Sequence, residues 1–310
     1  MIFSPTNDTL GEASAGEDAR CRASWDRRKQ RPGAMLKAAG IRPSKTRGQN
    51  FLVQPIVATQ IVSAAAIEPV DAIVEIGPGL GMLTERIMDA EPRRLTLIEV
   101  DPRLAAMLAA RFGADKRVSI IARDFLSVRF SEFGNGRLKV IGNLPFSAAA
   151  AILRHLCEYR ESIARMVLMF QREVGARIRA QPGARNYGSL SVFSLLYWRT
   201  LGHFPVAGGS FFPRPKVDAE VLIMEPRRQL DFDKVEEADI RATVRAVFSA
   251  PRKTIRNSLA GSLGINTDMA KDALAMASIE PSSRPATVDC SQLIALARIL
   301  RPATSPAYRA

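Results

Sequence analysis

Short apolar runs recur through the middle of the chain and set its frame. AIVEIG (72–77), LTLIEV (95–100), VSIIARD (118–124), LKVIGN (138–143) and MVLMF (166–170) each suit one buried strand and are too short for a buried helix. Between several of them lie Ala/Leu-rich segments with helical spacing, RLAAMLAARF (103–112) and SAAAAILRHLCEY (147–159). Strands alternating with helices predict an α/β fold, a doubly wound and mainly parallel sheet over residues 35–226. Ligands of such sheets sit at the carboxyl ends of the strands.

The pattern changes after PRPKVDAEVLIMEPRR (213–228). Ile240, Val244, Val247 and Phe248, then Leu293, Leu296, Ala297 and Leu300, keep helical spacing with no strand run between them. A small helical domain is therefore expected over 227–310. The first 34 residues are polar, mixed in charge and without period, which predicts a disordered tail. Met35 stands as an alternative start, and the acids of the tail argue against an organelle transit peptide.

Composition narrows the function. Apolar residues at 47% and charged residues at 24% are ordinary globular usage. No apolar stretch approaches the roughly 18 residues of a membrane span, and no basic segment followed by an apolar core opens the chain. Cys21, Cys157 and Cys290 are isolated, and His155 and His203 are the only histidines. A disulfide frame and a metal site are thus not expected, and the location predicted is a reducing, cytoplasmic one. Residues Cys157, His155 and His203 are read as structural. Lys and Arg total 44 against 31 Asp and Glu, a net charge of +13 that favours polyanionic partners.

Candidate chemistry falls at three successive strand ends. VEIGPGLG carries Gly77, Gly79 and Gly81 between a strand and a helix, so the backbone can pass close to a ligand. Two ligand classes compete for such a loop. A nicotinamide dinucleotide fingerprint places its last glycine at position 82, which is Met82 here. The GxGxG form, with Glu75 two places before it, suits instead a nucleoside without a pyrophosphate, such as S-adenosylmethionine. Glu99 closes the next strand, where a carboxylate can take both ribose hydroxyls, and Asp124 closes the third, where it can accept from an adenine N6 amine.

The fourth strand ends in NLPF, residues 143–146. An exocyclic adenine amine is a poor nucleophile because its lone pair is delocalised into the ring. The Asn143 side-chain oxygen and the Pro145 carbonyl would each take one N–H, favouring a pyramidal nitrogen. Phe146 would hold the base by stacking, worth roughly 1–3 kcal/mol. Orientation and aimed acceptors would then supply the catalysis, with no strong base required.

Taken together, these segments resemble the ribosomal RNA adenine N6,N6-dimethyltransferases that modify small-subunit RNA. The resemblance runs from about residue 41 to 300 and rests on GQNFL (48–52), VEIGPGLG, Glu99, RDF, GNLPF, FQREVGARI (170–178), YGSLSVF (187–193), FFPRPKVD (211–218), RKTIRNSL (252–259) and SRPATVDCSQLIALA (283–297). It implies a Rossmann-like methyltransferase domain with cofactor contacts at Asn50, Leu52, Gly77, Gly79, Glu99, Asp124 and Asn143. It implies Phe211 as a second ring facing the target adenine, opposite Phe146. Two adjacent adenosines in a hairpin near the 3′ end of the small-subunit RNA would each receive two methyl groups, with a role in ribosome biogenesis and a monomeric state. Two positions depart from the family pattern: the usual tyrosine of NLPY is Phe146, and the usual aromatic before GQNFL is Arg47.

Basic residues gather around the expected mouth, among them Arg47, Lys216, Arg252, Lys253 and Arg256, with Arg241 and Arg245 nearby in sequence. For RKTIRNSL, contact with RNA phosphates stands about even with a solvated helix face. Three other readings remain at this point. One is methylation of a large-subunit adenine, whose enzymes favour NIPY. Another is a non-catalytic small-subunit assembly factor. The third, a DNA adenine methyltransferase, lacks any visible target-recognition region.

Overall fold

The computed structural model describes residues 32–38, 40–43, 48–133 and 136–304. The expected tail lies outside these residues but for its last three, which open helix α1 (Pro32–Ala38). That helix is closed by bonds from the Gly40 and Ile41 amides to the Lys37 and Leu36 carbonyls.

From Pro43 onward the described residues form one unit. It runs β1 (Phe51–Leu52), α2 (Pro55–Ala65), β2 (Ala72–Ile76), α3 (Met82–Asp89), β3 (Arg94–Ile98), α4 (Pro102–Phe112), β4 (Val118–Ile121), β5 (Leu138–Asn143) and α5 (Ala149–Glu158). There follow β6 (Ile163–Gln171), α6 (Arg172–Arg179), α7 (Ser189–Tyr197), β7 (Trp198–Val206), β8 (Phe211–Phe212) and β9 (Ala219–Pro226). Helices α8 (Lys234–Val247), α9 (Ile255–Leu263), α10 (Thr267–Met276) and α11 (Cys290–Thr304) complete it.

Seven strands form one sheet in the order β4-β3-β2-β5-β6-β9-β7, and β1 pairs with β8 in a separate two-stranded ribbon. The pairs from β4 to β6 are parallel, while β9 is antiparallel to both β6 and β7. The five apolar runs read from sequence are the parallel strands. β3 ends at Ile98, two residues short of the run, because Glu99 turns into a cavity and Val100 is exposed.

Alternation along the strands builds two cores, as the two-residue period of a strand requires. Val74, Val140, Leu168 and Leu222 face α5 and continue into Ile240, Val244, Leu259 and Leu293 of the C-terminal helices. Ile73, Leu97, Ile141 and Val167 face the other way, onto Ala58 and Ile61 of α2, Leu83 of α3 and Leu108 of α4. Each such side chain fully buried contributes about 1.5–3 kcal/mol. Sequence signals start and stop the helices: Pro102 with Asp101 as N-cap opens α4, and Thr254 caps α9, which ends on left-handed Gly264. No helix among the described residues is long and apolar enough to cross a membrane.

Candidate active site

Strand β2 lies at the point where chain order reverses, with β3 on one side and β5 on the other. A crevice is expected outside the carboxyl ends of such strands. The cavity there has a volume of ≈ 320 Å³. Asn50, Gly77, Gly79, Glu99, Asp124, Asn143, Pro145 and Phe146, far apart in sequence, all line it.

Backbone forms its floor. Gly79 has φ +57, and a Cβ built there would lie 2.8 Å from Cδ1 of Phe51, so both conformation and contact exclude a side chain. At Gly142 a Cβ would come 2.7 Å from the Ile76 carbonyl, which explains the glycine that precedes Asn143. Arg111 clamps the loop from outside by donating to the Leu80 carbonyl at 2.9 Å and pairing with Glu85.

Glu99 is buried, and its two oxygens accept from the Gly79 amide at 3.1 Å and the Asp101 amide at 3.0 Å. Burial pushes its carboxyl above the usual carboxylate range. The Val100 amide adds to these bonds, and Glu99 lines the cavity with acceptor capacity remaining. Asp101, which the sequence reading did not single out, caps α4 and is held down to about 2 by its bond to the Arg103 guanidinium. It also accepts from the Gln49 side chain and so ties the GQNFL loop to the end of β3. Asp124 is exposed at the other end of the cavity and accepts from the Leu126 amide at 3.0 Å. Arg123 beside it, also not anticipated, lines the cavity and pairs with Glu132.

The Asn143 amide is oriented by the chain itself. Its Nδ2 donates to the Asn50 carbonyl at 2.9 Å, which leaves Oδ1 as the group presented to the cavity. The Pro145 carbonyl accepts from the Ala148 amide at 2.9 Å and retains a second lone pair. Phe146 is half-buried in the cavity wall.

Glu75, by contrast, does not reach the cavity. It is fully buried, its Oε2 accepts from Thr84 at 2.7 Å, and its Oε1 has no partner. Burial pushes its pKa up to about 8, so it stays protonated at neutral pH.

Phe211 and Leu52 are not brought to this cavity. They sit opposite each other in the β1–β8 ribbon, 4% and 5% exposed, and both enter the core beneath the sheet. Directly opposed residues of an antiparallel pair share a face. Phe51 and Phe212 are the other opposed pair: Phe51 lines the cavity and Phe212 is 39% exposed. Phe212 therefore shares the ribbon face of the cavity-lining Phe51 without itself lining the cavity, while Phe211 shares the core face with Leu52.

Of the expected RNA contacts, Lys216, Arg252 and Lys253 are exposed, and Arg47 lies outside the described residues. Arg256 is half-buried, with an Nε that has no partner. Arg241 is engaged in the scaffold, paired with Glu237 at 2.7 Å and lying over the Tyr197 ring at 5.5 Å. His155 meets the Val128 carbonyl at 3.2 Å, Cys157 accepts from the Trp198 indole at 3.2 Å, and His203 pairs with Glu220 at 3.0 Å. Among the described residues no group of His, Cys, Asp and Glu is arranged to hold a metal ion.

The profile of the family described as ribosomal RNA adenine dimethylase matches residues 42–296. The chain belongs to that family. "Ribosomal RNA small subunit methyltransferase A" of Moorella thermoacetica is 38% identical over 278 residues, covering 86% of this chain and 96% of the relative. The protein of the same name from Geobacter metallireducens is 37% identical over 270 residues, covering 86% and 98%. A dimethyladenosine transferase from Plasmodium falciparum shares the fold with a TM-score of 0.65 at 20% identity, over 80% of this chain and 96% of that one. The 23S rRNA methyltransferase ErmE does so with 0.60 at 24% identity, over 81% and 100%. The Rossmann-like methyltransferase fold and the adenine dimethylase family expected from the motifs are thus those of the chain.

Proposed function

We propose that this enzyme dimethylates N6 of two adjacent adenosines in a hairpin near the 3′ end of small-subunit ribosomal RNA, with S-adenosylmethionine as the methyl donor. The observation that carries the proposal is the Asn143 amide, which lines the ≈ 320 Å³ cavity and is held through Nδ2 on the Asn50 carbonyl, leaving Oδ1 as its acceptor.

The residues of the cavity fit that donor. A backbone floor with no room for a Cβ at Gly79 admits a ligand at close range. Glu99 offers remaining acceptor capacity for a ribose, and Asp124 an exposed acceptor for an exocyclic amine. Leu52 packs β1 and also lines a small hollow with Gly77, Gly79 and Asn143, where its backbone can serve the donor. When bound, S-adenosylmethionine supplies an electrophilic methyl group.

The chain's own part begins with an unstacked adenine, which costs a few kcal/mol to extrude. Asn143 Oδ1 and the remaining lone pair of the Pro145 carbonyl take its two N–H groups. That geometry draws the nitrogen lone pair out of ring conjugation and aims it into the cavity. Phe146 stacks on the base, and Phe212 takes the second ring position. No Lys, His or Cys lines the cavity among the described residues. None is needed, since the methylated nitrogen is cationic and sheds its proton readily. Acceptors placed for developing positive charge are worth about 10²–10³ in rate each.

Arg252 and Lys253, just before α9, Arg256 in its first turn and Lys216, between β8 and β9, would grip phosphates and set the register of the RNA. The helical segment from Lys234 would thus serve as an RNA-binding part, with the enzyme working as a cytoplasmic monomer. The test is Asn143→Ala. Transfer of labelled methyl groups to small subunits lacking the modification, measured at saturating S-adenosylmethionine, should fall about 10²–10³-fold. Full transfer by this variant would overturn the proposal.

A further inference from the structure

The end of the sheet remote from the cavity carries a second basic site. Two neighbouring cavities, ≈ 300 Å³ and ≈ 140 Å³, open beside the first residues of β5 and β6 and the last of β9. Arg137, Pro226 and Arg228 line both. Their walls together hold six cations, Arg137, Lys139, Arg160, Arg165, Arg227 and Arg228, against three acids, Glu68, Glu161 and Glu225.

The surrounding cations are already engaged. Lys139 pairs with Asp71 at 2.6 Å, Arg165 with Glu225 at 2.8 Å, and Arg160 with Glu161 at 3.4 Å. Arg227 donates to the Leu195 carbonyl at 2.7 Å. These pairs engage Glu161, Glu225 and the neighbouring Asp71, leaving Glu68 as the wall acid with no ion pair among the described residues. Arg137 and Arg228 are exposed, and their side chains have no ion pair or hydrogen bond among the described residues. Two unengaged guanidiniums on the rim of shared hollows suit the forked recognition of phosphate oxygens.

We propose that Arg137 and Arg228 form a second RNA-docking site, holding backbone phosphates of the substrate particle at the pole opposite the active site. β5 separates the two poles: Arg137 precedes its first residue, and Asn143 is its last. At about 3.3 Å per residue that is roughly 20 Å, so the phosphates held belong to another element of the folded RNA, not to the target nucleotide. The partner is identified as RNA because the proposal rests on the function above, in which the substrate is already a large folded RNA.

The experiment compares the wild-type enzyme with a double variant, Arg137→Ala with Arg228→Ala. Subunit binding is measured directly, apart from transfer, as a function of salt. Each phosphate contact contributes about 0.7–0.9 to the slope of log affinity against log salt, so the slope should drop by about 1.5. Affinity should fall roughly tenfold at moderate salt, with KM for subunits rising and kcat unchanged. Melting temperature and S-adenosylmethionine binding should stay at wild-type values, and the double Lys variant should recover most of the slope. Unchanged affinity and slope would overturn the proposal. So would inorganic phosphate raising the wild-type melting temperature through these arginines while subunit binding is unaltered, since the site would then serve a small anion. Failure of the wild type to transfer methyl groups would defeat the assigned activity, while the binding comparison would still decide this one.

Discussion

Two adjacent phenylalanines make opposite predictions. Phe211 is 4% exposed and packs with Val206, Ala219 and Val221, so its truncation opens a hole in a core that the whole sheet shares. Phe→Ala changes at such sites cost about 3–5 kcal/mol. In a unit of this size that lowers the melting temperature by roughly 5–15 °C. Phe212 is 39% exposed and belongs to neither core, so Phe212→Ala should cost under about 0.5 kcal/mol. What Phe212→Ala should lose is stacking, about 1–3 kcal/mol, which is a 5- to 150-fold fall in kcat/KM. Thermal melts of both variants, and initial rates on small subunits at a temperature where both are folded, check the pair. The reasoning is refuted if Phe212→Ala transfers methyl groups at the wild-type rate while Phe211→Ala melts normally and is inactive.

Glu75→Gln should change the pH dependence of stability. The folded state keeps the Glu75 proton up to about pH 8, whereas the unfolded chain releases it near the ordinary 4.5. Stability therefore falls as pH rises between those values and levels off above 8; the excess loss in wild type over the variant, from pH 5 to 8, should approach about 4 kcal/mol. Parallel unfolding curves across that range would show that Glu75 titrates normally. Glu99→Gln removes a carboxylate from two prospective ribose bonds and should weaken S-adenosylmethionine binding about 10- to 100-fold by calorimetry. Arg252→Ala with Lys253→Ala should lower the salt slope of subunit binding by about 1.5 and leave cofactor affinity unchanged.

The parallel half of the fold was legible because its strands are unbroken apolar runs, and such runs mean burial on both faces. The antiparallel edge was not. β7 alternates half-buried and exposed residues between buried ends and is interrupted by Gly202 and Pro205, so its period is weak until β9 is placed beside it. At the site, Gly77, Glu99 and Asn143 were readable because each stands at or just past a strand end, and Asp124 because it follows β4 by three residues; the sheet brings such ends together. The Phe211–Phe212 choice was not readable from composition or motif. It is a question of parity, and only the register with Phe51 and Leu52 decides which ring turns inward. Likewise Asp101 acts through the Gln49 side chain and Arg111 through the Leu80 carbonyl, both on loops they do not belong to, and Arg137 and Arg228 line the same hollows only because β9 returns antiparallel beside β6.

The central claim is that a fixed amide, a proline carbonyl and a ring hold an RNA adenine for methyl transfer at N6. The most direct measurement supplies labelled S-adenosylmethionine and small ribosomal subunits lacking the modification, then digests the RNA and identifies the labelled nucleosides. The account predicts N6,N6-dimethyladenosine from the wild-type enzyme and almost none from Asn143→Ala. Label in any other nucleoside, or no label despite demonstrated binding of both cofactor and subunit, would contradict it.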